Sequence, residues 1–143
     1  MNNKEDYLSY KDCLKLKKLG YNWASDGLWY LSPTYNGEWL GSDEEYELRS
    51  EGITEFDYKP RTWLHYHKNE DCNNENECSL VDYYNAAYWL ETVKNVKPFF
   101  ICCGDGIHKV SITYDSRSYS SEKECRTIKE CVKEFVKLSL KHM

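Results

Sequence analysis

The sequence predicts an α+β protein in which three helices pack on an antiparallel sheet of about four to six strands. Segments with helical periodicity lie near both ends and in the middle of the chain, and alternating apolar segments lie between them. The residues Gly104-Asp105-Gly106 separate two alternating segments, which predicts a hairpin and therefore antiparallel pairing. With 143 residues, we expect a single domain that spans 1–143.

The first helix is expected to begin at Ser9, because residues 9–12 have the pattern of a capping box. Cys13, Leu16 and Leu19 then repeat at roughly helical spacing. Gly20 suits the end of this helix, since glycine readily adopts the left-handed conformation that often follows a last turn.

An aromatic region rich in turn residues follows the first helix. Residues 27–31 and 38–40 predict two short strands, and residues 43–55 predict an acidic loop or a weak helix. Regular alternation over 62–67 predicts a further strand. The polar, asparagine-rich residues 68–78 predict a surface loop.

A central helix is predicted by a second capping-box pattern at residues 79–82, and it extends to about residue 94. Its apolar face is expected to carry Tyr83, Ala87, Leu90 and Val93.

The last third of the chain predicts a hairpin followed by a helix. Residues 97–103 and 107–114 are the two strands, and residues 115–120 form a polar connection. A third capping-box pattern at 121–124 predicts a final helix to about residue 141. Its expected apolar stripe consists of Ile128, Cys131, Val132, Phe135 and Leu138.

Charge is low overall but unevenly distributed. The formal net charge is −5, which disfavours a generally basic nucleic-acid binder. Residues 43–57 carry a net charge of −6 and residues 70–82 a net charge of −5, so the remainder is +6. This pattern indicates either two solvated acidic loops or an acidic surface that docks on a basic partner.

The sequence contains no segment with the roughly 18 apolar residues of a membrane span. Its first residues lack the features of a secretion signal. We therefore expect a cytoplasmic protein without membrane association, in which the seven cysteines are thiols.

Aromatic residues are the most unusual feature of the composition. The chain has 22 of them, 15% of its residues, concentrated in two clusters over 21–39 and 83–89. Part of each cluster must belong to the core, but tyrosine and tryptophan are also typical of interface anchors and stacking pockets. The candidate binding residues are Trp23, Trp29, Tyr30, Tyr35, Trp39, Tyr84 and Trp89.

The candidates for a metal site are His65, His67, Cys72 and Cys78. Histidines two residues apart on a strand share a face, and imidazole and thiolate groups suit Zn²⁺. However, these positions lack the close cysteine pair of a zinc knuckle. The alternative is two surface histidines beside incidental thiols, with no cofactor.

A nucleophilic site would need a thiol beside a base. Cys102 or Cys103 could meet His108 across the hairpin. Because nothing else singles out a catalytic set, a protein that is not an enzyme is favoured over a small cysteine- or zinc-dependent enzyme.

Three blocks of the sequence resemble an uncharacterised family of small proteins from phages and mobile elements of Bacteroides-type bacteria. The blocks are residues 9–21 with 24–26 and Trp29-Tyr30, residues 79–94 with Ala86-Ala87-Tyr88-Trp89-Leu90, and the strand pair with the closing helix, whose opening is residues 119–125. The resemblance covers about two-thirds of the chain in pieces, and residues 34–78 depart from it. It implies a phage accessory protein in the bacterial host cytoplasm, with no catalytic residues to transfer.

The favoured function is binding of a host protein, as in inhibition of a host defence. The alternative is sequestration of a small nucleotide signal, with aromatic rings stacking on the base. Candidate phosphate ligands for that alternative are Arg61, Lys97, Lys109 and Arg117. A virion-associated role and a homodimer also fit the sequence.

Overall fold

The computed structural model describes residues 6–35, 38–39, 55–72 and 75–143. The α+β class is confirmed: three α-helices and antiparallel strands make up the described part of the chain. The contacts group into two compact units, an N-terminal unit of Ser9–Leu80 and a C-terminal unit of Val81–Met143 with the residues up to Leu8. One domain over 1–143 stays a prediction.

The elements of the N-terminal unit are α1 (Tyr10–Lys18), β1 (Ser25–Tyr35), β2 (Glu38–Trp39), β3 (Glu55–His67), a 3-10 helix (Asn69–Asp71) and β4 (Cys78–Ser79). Those of the C-terminal unit are α2 (Tyr83–Thr92), β5 (Lys97–Gly104), β6 (Ile107–Tyr114), β7 (Arg117–Cys125) and α3 (Ile128–Lys141).

Helix α1 has the expected ends. The Ser9 side chain accepts a hydrogen bond from the Asp12 N–H, and Gly20 has a φ of +102° just after the last turn. The Tyr21 N–H donates to the Leu16 carbonyl at 2.9 Å, which closes a Schellman motif. Leu16 is completely buried, so the predicted apolar face is the one that packs.

The N-terminal sheet has the order β2-β1-β3, with β4 also paired to β1. Strands predicted at 27–31 and 62–67 are parts of the longer β1 and β3. Gly27 allows the close approach of β1 to its neighbours: a Cβ there would lie 2.8 Å from Leu80 Cδ2 and 2.9 Å from the Arg61 carbonyl oxygen. The Gly27 carbonyl accepts the Leu80 N–H at 2.9 Å.

Asn69 joins three segments of this unit, and it lies in residues 68–78, for which the sequence predicts a surface loop. Its side chain is buried, its Nδ2 donates to the Tyr21 carbonyl at 2.6 Å, and its Oδ1 accepts the Ser79 N–H at 2.8 Å. Residues 68–78 therefore contain a structural anchor, because a buried amide that satisfies two backbone groups fixes the chain on both sides.

The C-terminal sheet has the order β5-β6-β7, and the hairpin at residues 104–106 is confirmed. The predicted polar connection at 115–120 is wrong, because β7 already begins at Arg117 after a tight turn. Val110 and Ile112 of β6 are completely buried. Helix α3 packs on β6 and β7.

Helix α3 begins later than predicted. The segment with the third capping-box pattern lies inside β7, and the N-cap is Thr127, whose Oγ1 accepts the Glu130 N–H at 3.1 Å. Of the predicted apolar stripe, Cys131, Phe135 and Leu138 are buried, whereas Ile128 is 79% exposed.

Helix α2 also begins later than predicted. Its N-cap is Asp82, whose Oδ1 accepts the Asn85 N–H at 2.7 Å, while Ser79 belongs to β4. The buried residues of the helix are Tyr83, Ala86, Trp89 and Leu90. Val93, expected on this face, is 51% exposed.

Both acidic segments extend beyond the described residues. Residues 43–54, as well as 73–74 in the second segment, lie outside them, as does Leu40 of a predicted strand. Within the described part, no helix is both long enough and apolar enough to cross a membrane.

Candidate functional site

The predicted aromatic binding residues divide between core and surface. Trp29 on β1 and Trp89 on α2 are buried, with 8% and 2% exposure. Tyr10 packs edge-on against Trp29 with 5.9 Å between ring centroids and stacks on Tyr58 at 4.0 Å. Burial raises the pKa of Tyr10, whose hydroxyl donates to the Asn76 carbonyl at 2.7 Å. Trp29 is therefore part of an internal aromatic cluster.

The other candidates of the first cluster are less buried or lie outside the description. Trp23 and Tyr30 are half-buried, and the Trp23 ring lies 5.9 Å from that of Tyr21. Tyr35 and Trp39 belong to paired ends of β1 and β2, but their side chains are outside the described part.

Tyr84 lies on the surface, and the structure places a second exposed tyrosine beside it. Tyr84 is 57% exposed and Tyr88, four residues later, is 63% exposed. Residues four apart lie on the same face of a helix, and exposed Glu91 extends that face by one turn. We call Tyr84, Tyr88 and Glu91 the tyrosine face.

The tyrosine face is presented by a firmly held helix. Next to Tyr88, Trp89 is buried, and the Lys94 ammonium lies 5.6 Å from its ring centroid. At the other end, Tyr83 is buried and has Lys133 of α3 5.3 Å from its ring centroid. Because the opposite face of α2 is fixed in the core, the exposed rings lose little backbone freedom when a partner binds.

Strand β5 carries exposed apolar side chains that are not among the binding residues predicted from the sequence. Phe99, Phe100 and Ile101 are 55%, 51% and 51% exposed. β5 forms one edge of its sheet, with β6 on its other side. Successive side chains on a strand alternate in direction, so Phe99 and Ile101 lie on one face of the sheet and Phe100 on the other.

A groove of about 330 Å³ lies next to Phe100. Its lining is mainly apolar and consists of Phe100, His108, Arg126, Thr127, Ile128, Cys131 and Val132. The groove thus lies between the sheet and the first turns of α3, and the exposed Ile128 and Phe100 side chains border it.

The first turn of α3 already holds a carboxylate. Glu130 Oε2 accepts the Arg126 N–H at 2.7 Å, and this hydrogen bond is the main reason that the pKa of Glu130 is lowered. An anionic ligand in the groove would therefore meet the Arg126 side chain close to an existing negative charge.

The predicted metal ligands are only partly described. Cys72 is half-buried after the 3-10 helix and Cys78 is buried in β4, and burial raises the pKa of both thiols. The side chains of His65 and His67 lie outside the description. Among the described residues, no group of three or more histidine, cysteine or acidic side chains has an arrangement that could hold a metal. A zinc site stays a prediction.

The predicted thiol–imidazole pair is brought into register by the hairpin. Cys102 lies directly opposite His108 in the β5–β6 pairing. Cys102 and Cys103 are exposed, and among the described residues no hydrogen bond joins Cys102 to His108. A cysteine nucleophile acts with a base within hydrogen-bond reach, and a catalytic role for this pair stays a prediction.

The basic residues considered for phosphate binding are distributed over several strands. Arg61 lies on β3, Lys97 on β5, Lys109 on β6 and Arg117 on β7. None of them lines the groove, whose lining includes Arg126 instead.

Searches against protein-family models, curated proteins and solved structures found no match to this chain.

Proposed function

We propose that this chain is a non-enzymatic phage accessory protein that binds a host protein through the tyrosine face. The observation that carries the proposal is the pair of tyrosines, Tyr84 at 57% and Tyr88 at 63% exposure, one turn apart on a helix whose other face is buried. Two exposed tyrosines on one helix face form an aromatic patch of the residue type that is enriched among interface anchors.

Tyrosine suits this purpose for physical reasons. Its ring provides a large contact area with only two side-chain torsions to immobilise, and its hydroxyl can bond to the partner at the rim of the contact. Where a tyrosine is one of the hot-spot residues of an interface, its truncation to alanine costs about 2 kcal/mol or more. Loss of both Tyr84 and Tyr88 would then cost about 4 kcal/mol, about half of the roughly 8 kcal/mol that holds a micromolar complex.

The host context rests on the resemblance to phage and mobile-element proteins. Residues 79–94, one of the resembling blocks, include both tyrosines of the tyrosine face. A protein of this kind acts in the bacterial cytoplasm, and inhibition of a host defence is the proposed outcome of binding. The acidic segments add a means of steering towards a basic partner.

A pull-down from lysate of a Bacteroides-type host tests the proposal. The wild-type chain should retain a defined host protein, and the double variant Tyr84→Ala/Tyr88→Ala should reduce the affinity for that protein at least about 100-fold. Val93→Ser is the matched control, because Val93 is 51% exposed at the end of the same helix but about 180° from Tyr84.

Two results would refute the proposal. One is that no host protein is retained at low salt. The other is that Tyr84→Ala/Tyr88→Ala and the control Val93→Ser both bind the host protein as tightly as the wild type does. Circular dichroism should show that all variants keep their helical content, since each replaced side chain points mainly into water.

The groove favours a second candidate function, the binding of a small nucleotide signal. Its volume of about 330 Å³ is at the lower end for small-molecule sites. Phe100 could stack on a base while Arg126 meets a phosphate. Cyclic nucleotides should then raise the melting temperature of the wild type but not of Arg126→Ala. Absence of a shift with every nucleotide would exclude this function.

A further inference from the structure

We infer that β5 is the self-association site of this protein, where two copies pair their β5 strands antiparallel about a two-fold axis. An edge strand offers unpaired N–H and C=O groups to another strand, and β5 adds three apolar side chains that are each about half exposed. The pairing would join two three-stranded sheets into one continuous sheet across the axis.

The end charges of β5 favour a second copy as the occupant. Lys97 begins the strand, and Asp105 lies in the turn directly after its last residue. Both are exposed, and neither forms an ion pair within the described part of the chain. In an antiparallel pair of identical strands the start of one lies near the end of the other, so the dimer has two sites where Lys97 of one copy approaches the turn that carries Asp105 of its partner.

The strand centre fits the same register. If Ile101 lies on the two-fold axis, it faces its own copy, and the irregularity of β5 between Cys102 and Gly104 lies beside the start of the partner strand. Phe99 lies on the same sheet face as Ile101, and it packs towards the far end of the partner strand. This face of the neighbouring β6 carries Ser111 and Lys109, opposite Phe99 and Ile101. The apolar stripe is thus confined to the edge, where a second copy covers it.

Pro98 restricts the new pairing to the centre of β5, because in the dimer its nitrogen, which has no N–H to donate, faces the partner strand. A proline within a sheet is tolerated on an edge strand where its nitrogen faces away from the neighbouring strand. Pro98 lies opposite Ile112 in the β5–β6 pairing. With that orientation the outward backbone groups are those of alternate residues, including Phe100 and Cys102. These two are opposite each other when Ile101 is on the axis, as the ladder requires.

Opposite-charge variants at the axis provide a selective test by analytical ultracentrifugation over the micromolar range. The wild type should dimerise, and Ile101→Lys or Ile101→Glu alone should weaken the dimer at least about 100-fold, since like charges would face each other. An equimolar mixture of Ile101→Lys and Ile101→Glu should dimerise again. Only pairing about this residue predicts that recovery.

A charge exchange at the ends tests the register. Lys97→Asp and Asp105→Lys should each weaken the dimer by about fivefold to tenfold, and the double variant should restore it. Glu122→Lys, exposed on β7 away from this edge, is the matched control and should have no effect. A wild type that stays monomeric, or a dimer insensitive to Ile101→Lys, would overturn the inference. None of these variants alters α2, so the outcome is independent of host binding.

Discussion

Replacement of Asn69 by alanine should destabilise the N-terminal unit strongly. The Asn69 amide is 6% exposed and satisfies the Tyr21 carbonyl at 2.6 Å and the Ser79 N–H at 2.8 Å. Asn69→Ala leaves both backbone groups buried without a partner. Each such group costs about 1–3 kcal/mol, so we expect a loss of about 3 kcal/mol.

This loss of stability can be measured by urea denaturation, with tryptophan fluorescence as the signal of unfolding. With a urea dependence of about 1–3 kcal/mol per molar, the unfolding midpoint should fall by about 1–3 M. Glu70→Ala, an exposed change in the same 3-10 helix that keeps the Glu70 backbone bond to Asn22, should shift the midpoint much less. A loss below about 0.5 kcal/mol for Asn69→Ala would refute the role assigned to this amide.

Asn69→Asp removes the N–H donor of this side chain while keeping nearly the same side-chain volume. The aspartate keeps an acceptor for the Ser79 N–H but presents a second oxygen, instead of an N–H donor, to the Tyr21 carbonyl. Burial and this repulsion should raise the pKa of the new carboxyl in the folded state. The variant should therefore be least stable at neutral pH and should recover as the pH falls through that raised pKa.

Three further predictions concern the C-terminal unit. Because Thr127 is the N-cap of α3, Thr127→Ala should lower the free energy of unfolding in urea by about 1 kcal/mol. A variant as stable as the wild type would contradict the start assigned to α3. Burial raises the pKa of the Cys125 thiol to about 11; stability should fall above about pH 9, and Cys125→Ala should lessen that fall. Iodoacetamide should label exposed Cys102 and Cys103 well before Cys125, as mass spectrometry of the native protein would show.

The sequence predicts where an element begins or ends wherever interactions within a few residues decide it. Ser9 and Gly20 bound α1 as expected, because capping depends on backbone groups within one turn. The hairpin at residues 104–106 is equally local, with positive φ angles at all three positions. These features need no knowledge of what lies elsewhere in the chain.

Two capping-box patterns show where local chemistry is ambiguous. Ser121-Glu122-Lys123-Glu124 and Thr127-Ile128-Lys129-Glu130 have the same pattern, yet the first lies in a strand and the second begins α3. The sequence of β7 has no alternation of apolar and polar residues that would identify it as a strand. One of its faces carries Ser118 and Ser120, and Ser120 donates a hydrogen bond to Ser111 of β6. The pairing with β6 decides the conformation, and pairing is not visible locally.

The candidate site was only partly predictable for a related reason. A one-residue step rotates a helical side chain by about 100°, which separates buried Trp89 from exposed Tyr88 within the same cluster. A run such as Phe99-Phe100-Ile101 is typical of a buried strand, but β5 forms the edge of its sheet. Exposure here is a consequence of sheet order, which no local pattern specifies.

The two proposed surfaces have a joint consequence because both belong to the C-terminal unit. A dimer through β5 would carry two copies of the tyrosine face, so a multivalent host target could engage both at once. Ile101→Lys should then weaken retention on a densely immobilised host protein by at least about tenfold, while affinity for the same protein free in solution stays unchanged. Equal loss in both formats would instead indicate that β5 contacts the host protein directly.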